Sequence, residues 1–323
     1  MGKGTAFGKS VLIGDQFVLY GVPAIVSALP YRTETIVERM TGPAGFTVED
    51  NRIEVPGYKK QKEASCLKSY EQMAEVMNLD IARNPIKIRV GGDLLAGSGV
   101  GASAAISVSF VRACNEEFDL GLDEIEVNQV GWEGEHAYHG IPSGIDNTAS
   151  TFGGLMMYVI RDGKKMYQRI IPGKPVYAVL ANSGVTYDTA LLGKYVKELI
   201  NRDPERVYAN LNRITEQVYE MKKAIETGDL ATAGSIMTEN HQILIDMDLS
   251  HDRLIDLCGQ AIRMGAYGAK LTGGGRGGYM VSLVKDIDAQ CRIASEFEGQ
   301  GVPVITAELG TNPQDDVQFR IVK

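Results

Sequence analysis

Cysteine, histidine and tryptophan are all scarce in this chain of 323 residues. It has four cysteines, four histidines and one tryptophan, and no two cysteines form a CxxC pair. Such widely separated cysteines are more typical of reduced core thiols than of a disulfide framework or a zinc site. The sequence also contains no HExxH, which further weakens a transition-metal site. The sequence therefore favours neither a disulfide framework nor a transition-metal site. The cysteines are Cys66, Cys114, Cys258 and Cys291.

Long apolar runs and a surplus of basic residues are absent as well. No uncharged stretch is long enough to span a bilayer, and the first residues hold no apolar run of signal-peptide length. The net charge of −8 leaves no basic excess to neutralise nucleic-acid phosphates. We therefore expect a cytoplasmic protein that binds neither membranes nor nucleic acid. A small anionic ligand, held by local dipoles and one or two cations, remains compatible with this charge.

The order of the predicted elements indicates an α+β protein with two domains. A chain of 323 residues exceeds the usual size of a single core. Strand and helix patterns are mixed without the regular alternation of a doubly wound parallel sheet. We expect a first domain over residues 1–168 and a second over residues 169–323. The predicted helices span about 62–77, 103–118, 122–138, 190–201, 204–227, 230–246, 252–264 and 287–297.

The most informative stretch runs from Leu94 to Ser109, LLAGSGVGASAAISVS. Its three glycines let the backbone turn tightly and approach another group closely. The helix that follows leaves its first N–H groups unpaired at the positive end of its dipole, an arrangement that favours a bound phosphate. A glycine-rich turn that serves packing alone is the alternative, and this stretch by itself favours neither.

The remaining parts of a phosphoryl-transfer site also have candidates. Such a site needs magnesium ligands and a carboxylate near the attacking hydroxyl. Ser103 either caps its helix or binds Mg²⁺. Glu133 and Glu135 are the candidate carboxylate ligands, but they lie two residues apart on a helix and cannot both face one point. Asp146 lies in a polar segment that we predict to be a loop, where a turn role is the alternative. Lys9 could pair with Asp146, although a lysine near the N-terminus is more often solvated.

A second glycine run, Gly273–Gly278, lies near the C-terminal end. It is longer than a turn requires, which indicates a backbone close to a ligand. A β-bulge or a crowded strand crossing is the competing explanation.

Taken together, these stretches resemble the three signature motifs of the GHMP kinases, in order and spacing. The first motif is matched by GKSVLIGDQFVLYGVPAI, the second by GVGASAA and the third by KLTGGGRGG. Within the superfamily, two segments are similar to the mevalonate kinase family, namely EGEHAYHGIPSGIDNTASTFGG and IMTENHQILIDMDLS. The resemblance covers about residues 5–284. It implies two α+β domains with the active site in the cleft between them, and it suggests a homodimer.

The resemblance also implies roles for individual residues. Asp146 matches the catalytic aspartate that accepts or orients the proton of the substrate hydroxyl, and Lys9 matches the lysine that pairs with it. Ser103 and Glu135 match the Mg²⁺ ligands, and Gln16 and Thr272 occupy substrate-binding positions. The positions that bind the ATP phosphates are Gly97, Gly99, Val100, Gly101, Ala102, Ser103, Ala104, Gly273, Gly274 and Gly275.

The sequence departs from the family pattern at several motif positions. The substituted positions are Phe7 (proline in the family), Asp15 and Gln16 (Glu-His), Leu95 (proline), Ala102 (serine) and Arg276 (glycine). The family histidine at position 16 helps contact mevalonate, so Gln16 bears on the substrate more than on the fold. The guanidinium of Arg276 either points to solvent or adds a phosphate contact, to ATP or to a phosphorylated substrate.

The resemblance implies an ATP- and Mg²⁺-dependent kinase that phosphorylates the 5-hydroxyl of (R)-mevalonate in isoprenoid biosynthesis. The alternative, motivated by Gln16 and Arg276, is another GHMP kinase that acts on a different hydroxy acid, a sugar or a phosphorylated mevalonate. A third hypothesis is a nucleotide-binding protein without catalysis, which predicts loss of the acid–base and metal residues. Those residues are present. For the adenine base, the sequence points to the region of Ser69–Met77.

Overall fold

The computed structural model describes residues 1–42, 44–139, 141–186 and 189–322. Within these ranges the chain forms eleven β-strands and nine α-helices. The strands are β1 (Gly2–Ile13), β2 (Ala24–Arg39), β3 (Phe46–Asp50), β4 (Ile86–Gly92), β5 (Leu155–Arg161), β6 (Lys164–Arg169), β7 (Val176–Asn182), β8 (Gly268–Leu271), β9 (Tyr279–Val284), β10 (Val304–Leu309) and β11 (Phe319–Val322). The helices are α1 (Tyr58–Val76), α2 (Ala102–Phe118), α3 (Glu124–His139), α4 (Ile145–Phe152), α5 (Thr189–Arg202), α6 (Pro204–Thr227), α7 (Leu230–Asp246), α8 (Asp252–Arg263) and α9 (Ile287–Gly299). A short 3₁₀ helix occupies Asp15–Tyr20.

The elements group into two compact units, each of which contains strands and helices. The first unit consists mainly of Met1–Lys9 and Leu29–Gly153, and the second of Ser10–Ala28 and Gly154–Ile321. The predicted α+β class is confirmed, whereas the domain boundary after residue 168 stays a prediction. None of the helices in the described ranges is both long and apolar enough to cross a bilayer.

In the first unit, strand β1 lies directly on helix α2. A Cβ at Gly2 would lie 2.1 Å from the carbonyl oxygen of Ala113, and one at Gly4 would lie 2.1 Å from that of Ser109. Only glycine permits so close an approach of a strand to a helix backbone. The first residues of β1, which precede Lys9 in the strand, are thereby fixed against the helix that follows the first glycine-rich turn. The same unit contains the antiparallel pair of β2 and β4 and the parallel pair of β3 and β4.

In the second unit, four antiparallel strands form a sheet in the order β10-β7-β9-β8. Helices α7 and α8 pack on β8, and α9 packs on β7 and β10. The unit also contains the β5–β6 hairpin, whose two turn residues, Asp162 and Gly163, have φ values of 50° and 71°. Two positive φ angles define the hairpin turn that an Asp-Gly pair favours. The predicted hairpin is confirmed.

The segment SGIDNTASTFGG was predicted to be a loop, and this prediction is wrong, because residues 145–152 form helix α4. The helix begins after Gly144, at φ 88°, and buries Ile145, Ala149 and Phe152 on one side. One of its polar side chains is bonded within the helix, since Thr148 Oγ1 donates to the Gly144 carbonyl over 2.6 Å. Burial of the apolar side has overridden the local preference of serine, threonine and asparagine for turns. Asp146 therefore lies in the first turn of a helix.

All four cysteines are free thiols, as expected, but they are not all in the core. Cys114 and Cys258 are buried, Cys66 is half-buried and Cys291 is exposed. Burial raises the pKa of the Cys258 thiol to about 12, so this group stays protonated near neutral pH.

Candidate active site

Lys9 and Asp146 form an ion pair in the first unit. Lys9 Nζ lies 3.1 Å from Asp146 Oδ1, with the lysine side chain 6% exposed and the aspartate side chain 29% exposed. The backbone N–H of Lys9 donates to the carbonyl of Val100 over 2.8 Å, which ties the lysine to the glycine-rich turn. The pair therefore presents a partly accessible carboxylate that is held in place by a buried cation.

Ser103 and Glu135 form a second polar pair, between helices α2 and α3. Ser103 Oγ donates to Glu135 Oε2 over 3.1 Å, and Ser107 Oγ approaches Oε1 at 3.4 Å. The Glu135 side chain is 1% exposed. Glu133 instead approaches the His136 ring, at 3.8 Å, so only one of the two predicted glutamates reaches the serine.

The alternative role considered for Ser103, capping of its own helix, is not what the structure has. Helix α2 is preceded by Gly101 at its N-cap position, where no side chain caps the helix. The Ser103 hydroxyl is directed to Glu135 instead. A hydroxyl beside a buried carboxylate is the kind of oxygen pair that Mg²⁺ prefers.

Sequence reasoning missed His139, which lies beside both pairs. Its Nε2 is 3.4 Å from Glu135 Oε2 and 3.4 Å from Ser103 Oγ. Burial lowers the pKa of His139, but the hydrogen bond and charge of Glu135, with the charge of Asp146, outweigh burial and the opposing Lys9, so the pKa is raised. His139 therefore lies within electrostatic reach of all four predicted residues. The signal in the sequence was its position four residues after Glu135 on one helix.

The first glycine-rich turn has the left-handed backbone that its sequence predicts. Gly97, Gly99 and Gly101 have φ values of 80°, 81° and 81°. A Cβ at Gly101 would lie 2.7 Å from Lys9 Cγ, and one at Gly97 would lie 2.4 Å from the Tyr58 ring. Close packing thus explains two of these glycines, and phosphate binding by the turn stays a prediction.

A cavity of about 480 Å³ lies beside this turn, with Ala102 and Ser103 in its wall. Its other walls come mainly from the first half of α1 and the end of β3, and they combine apolar, basic and acidic side chains. The lining includes Val48, Tyr58, Lys60, Lys62, Leu67 and Ile106. Ser69 and Met73, from the region expected to hold the base, are instead buried against Gly134 of α3 and do not line the cavity.

In the second unit, Thr272 is engaged by the end of strand β1. Its Oγ1 accepts a hydrogen bond from the backbone N–H of Val11 over 2.9 Å and lies 3.2 Å from Ser10 Oγ. The residue is 4% exposed. These contacts account for a threonine here, and its predicted substrate-binding role stays a prediction.

Gln16 lies against the second glycine run. A Cβ at Gly274 would lie 3.0 Å from Gln16 Nε2, a tight contact that the flexible amide would have to relieve. The preceding residue, Asp15, pairs with Lys270 at 2.6 Å, and their side chains are 2% and 0% exposed. A buried, hydrogen-bonded pair of this kind is costly to break. It fixes the 3₁₀ helix from which Gln16 extends.

The Arg276 side chain contacts other residues of the second unit, and a phosphate contact stays a prediction. Its side chain is 20% exposed, its Nε donates to the Asp248 carbonyl over 2.8 Å, and its guanidinium also pairs with the Asp248 carboxylate. The guanidinium lies over the ring of Tyr195, 4.0 Å from the ring centroid. The guanidinium of Arg276 is therefore held by residues that are distant from it in sequence.

The one tryptophan fastens the segment that precedes α4. Trp132 Nε1 donates to the carbonyl of Pro142 over 2.9 Å, and its ring packs edge-on against His136, with centroids 4.4 Å apart. The approach to the Asp146 helix is thus anchored on α3.

Comparison with known proteins gives matches over most of the sequence. The family described as "GHMP kinases N terminal domain" matches residues 65–154, and "GHMP kinases C terminal" matches residues 221–302. A mevalonate kinase from Pyrococcus horikoshii is 30% identical over 317 residues, which cover 92% of each chain. The chain belongs to the GHMP kinase family. The predicted family, the two-domain fold and the kinase class are confirmed, and kinases of this family use ATP.

This GHMP kinase is also similar to solved structures. The crystal structure of L. major mevalonate kinase in complex with R-mevalonate aligns with a TM-score of 0.89 and 32% identity, covering 97% of both chains. Another curated mevalonate kinase, from Pyrococcus abyssi, is 28% identical over 314 residues and 92% of each chain. A Streptococcus pneumoniae phosphomevalonate kinase, at 14% identity and a TM-score of 0.77, shares the fold.

Proposed function

We propose that this chain is a mevalonate kinase, which transfers the terminal phosphoryl group of ATP to the 5-hydroxyl of (R)-mevalonate. The observation that carries the proposal is the Lys9–Asp146 ion pair next to the Ser103–Glu135 pair in one unit. Support for the substrate comes from the similarity to a mevalonate kinase with bound R-mevalonate.

Asp146 is the group we assign to the substrate hydroxyl. One of its oxygens, Oδ1, is paired with Lys9, and the side chain is partly accessible. As the hydroxyl oxygen bonds to the terminal phosphorus, the bond from phosphorus to the ADP oxygen breaks and ADP leaves. The hydroxyl proton passes to the aspartate, while Lys9 holds the carboxylate in position. Positioning and electrostatic stabilisation are the main work of a phosphoryl-transfer enzyme, and a general base adds to them.

Ser103 and Glu135 are the residues that would hold Mg²⁺. Their carboxylate and hydroxyl oxygens fit a hard cation. When bound, the ion would neutralise charge on the phosphate oxygens. The chain's own contribution is to orient the carboxylate, which Ser107 and His139 contact from either side.

The nucleotide is assigned to the first glycine-rich turn and the cavity beside it. The N-terminus of α2 bears no side-chain cap, and it offers its N–H groups to the phosphates. The cavity of about 480 Å³ has the size of a small-molecule site and combines apolar with charged side chains, and we assign it to the base. We propose the same role, ATP and Mg²⁺ binding, for the domain predicted over residues 1–168.

The alternative acceptors have unequal support. Arg276 motivated a phosphorylated substrate, but its guanidinium is engaged by Asp248 and Tyr195. Gln16 still favours a different hydroxy acid, because an amide there lacks the chemistry of the family's histidine. The homodimer and the cytoplasmic location remain predictions.

A substrate panel tests the proposal. ADP release is measured with (R)-mevalonate, 5-phosphomevalonate, homoserine and galactose, and Asp146→Asn is the inactive control. We expect turnover on mevalonate that far exceeds the others. Strong activity on another alcohol with none on mevalonate would overturn the substrate. Tight ATP binding without transfer to any alcohol would instead support the non-catalytic hypothesis.

A further inference from the structure

The second glycine run is held on both sides by backbone contacts within the second unit. The N–H of Arg276 donates to the Leu249 carbonyl over 3.0 Å, and the N–H of Gly278 donates to the Val185 carbonyl over 2.8 Å. A Cβ at Gly275 would lie 2.2 Å from the Leu249 oxygen, and one at Gly277 would lie 2.6 Å from the Val185 oxygen. The path of the run is therefore set by the turn after α7 and by the segment after β7.

Arg276 stands in this run at a backbone angle that suits glycine. Its φ is 55°, in the left-handed region, where a side chain is disfavoured. The related family has glycine at this position. A strained residue persists where the surrounding structure holds it, and such strain is often associated with function.

Contacts of the Arg276 side chain with neighbouring residues keep its backbone in this conformation. The guanidinium donates to both the carbonyl and the carboxylate of Asp248, and it stacks on Tyr195. Tyr195 completes the arrangement, because its hydroxyl donates towards Asp248 Oδ2 over 3.2 Å and towards the Met247 carbonyl over 3.3 Å. A planar guanidinium makes two directed bonds and a stack at once, which a lysine cannot do. We call these three residues the arginine brace.

We propose that Arg276 is a positioning residue, which acts through Asp248 and Tyr195 to hold the second glycine run in its nucleotide-binding conformation. The inference rests on the proposed function only in taking a nucleotide as the ligand of this run. The brace links the run to α5 through Tyr195 and to the turn after α7 through Asp248. Without the brace, a glycine at position 276 would let the run adopt more backbone conformations in the free protein. The conformational entropy lost when the nucleotide orders the run would then weaken nucleotide binding.

The test compares Arg276→Gly with wild type. Glycine relieves the backbone strain while it removes the brace, so the melting temperature is expected to hold or rise. We expect the KM for ATP, and the dissociation constant of a non-hydrolysable ATP analogue measured with Mg²⁺ by calorimetry, to rise roughly tenfold, with kcat changed less than about twofold. A merely structural arginine would give the reverse pattern, a lower melting temperature with unchanged binding.

Further variants separate a brace from a direct phosphate contact. Asp248→Asn is expected to reproduce part of the binding loss, because the bond to the Asp248 carbonyl and the stack on Tyr195 remain. The double variant Arg276→Gly/Asp248→Asn is expected to add nothing to the loss of Arg276→Gly. Arg276→Lys should bind the analogue little better than Arg276→Gly, because an ammonium group can neither stack on Tyr195 nor make the two directed bonds of a guanidinium. The matched control is Arg253→Ala, which breaks an exposed Arg253–Asp256 pair at 2.6 Å on α8 and should leave binding unchanged.

Three outcomes would overturn the brace. They are unchanged analogue binding in Arg276→Gly, unchanged binding in Asp248→Asn beside a loss in Arg276→Gly, and additive losses in the double variant. The second outcome would mean that the guanidinium contacts phosphate directly. If the wild type binds the analogue but does not phosphorylate mevalonate, the proposed substrate fails, and the comparison of dissociation constants still decides the brace.

Discussion

The Ser103 hydroxyl donates a hydrogen bond to the Glu135 carboxylate across 3.1 Å, and the two residues belong to different helices. Because Glu135 is almost completely buried, its charge needs such partners. Ser107 and His139 supply two more. A carboxylate held in this way is preorganised for a cation.

Ser103→Ala is expected to lower kcat by roughly 10²-fold and to raise the Mg²⁺ concentration needed for half-maximal activity, because one oxygen ligand is lost. The melting temperature should change little, since the hydroxyl does not cap α2. Steady-state rates over a magnesium titration provide the measurement. Ser107→Ala is the matched control, with its longer contact of 3.4 Å, and it should have the smaller effect. An unfolded Ser103→Ala protein would point to a structural role instead.

Asp146→Asn is expected to reduce kcat by roughly 10³-fold, because the amide cannot accept the hydroxyl proton. Nucleotide affinity should stay near that of wild type. Lys9→Met keeps the length of the side chain without its charge, and we expect it to lower kcat also. Rapid-quench measurement of phosphoryl transfer checks both variants. Near-normal turnover in Asp146→Asn would show that another group accepts the proton.

The two packed glycines of the first turn should affect different kinetic constants. Gly101→Ala would push on Lys9 and is expected to lower kcat, whereas Gly97→Ala would push on Tyr58 in the cavity wall and is expected to raise the KM for ATP. Gly121→Ala has a similar φ of 70° with open space around the Cβ, so it reports backbone strain alone. Equal effects of all three substitutions on stability, with unchanged kinetics, would contradict the assignment.

Stability should fall in mild acid through His241. Burial, and then the charge of Lys270, lower the pKa of His241 from 6.5 to about 4. Above pH 6.5 the imidazole is neutral in both states. Between pH 6.5 and 4 the unfolded chain binds a proton that the folded chain does not. The free energy of unfolding should therefore decrease by on the order of 3 kcal/mol across this window.

Urea unfolding at pH 7, 5.5 and 4.5 measures this dependence. Protonation of carboxylates also lowers the free energy of unfolding in acid. The pH dependence of wild type is therefore compared with that of His241→Gln. The variant keeps an amide near Ser250, which lies 2.9 Å from the wild-type Nε2. Its stability should fall less steeply with pH. Parallel curves would show that His241 is not the group that titrates.

The long helices were predictable because their signals are local. Residues 204–227 and 230–246 were predicted as helices, and α6 and α7 have those bounds. Both begin after an aspartate whose side chain accepts a backbone N–H, namely Asp203 and Asp229. A periodic apolar face with a capping residue is enough to specify such a helix.

The missed features depend on residues that are distant in sequence. Helix α4 consists of turn-forming residues, and its burial against other elements decides its structure. The partners of Arg276 are also distant in sequence, at positions 195 and 248. From the sequence alone, solvent and a phosphate were therefore the two partners predicted for its charge. The Lys9–Asp146 pair spans a still longer stretch of sequence. Opposite charges made this pairing one possibility, and the family resemblance then related the two positions.

The fluorescence of Trp132, whose indole donates a hydrogen bond to the Pro142 carbonyl, can report on the segment before α4. As the chain has a single tryptophan, all indole emission arises beside the segment that leads to Asp146. An imidazole, that of His136, packs against the same ring and can quench it. Any rearrangement of this segment can therefore be followed by stopped-flow fluorescence in the native protein, without labels or substitutions.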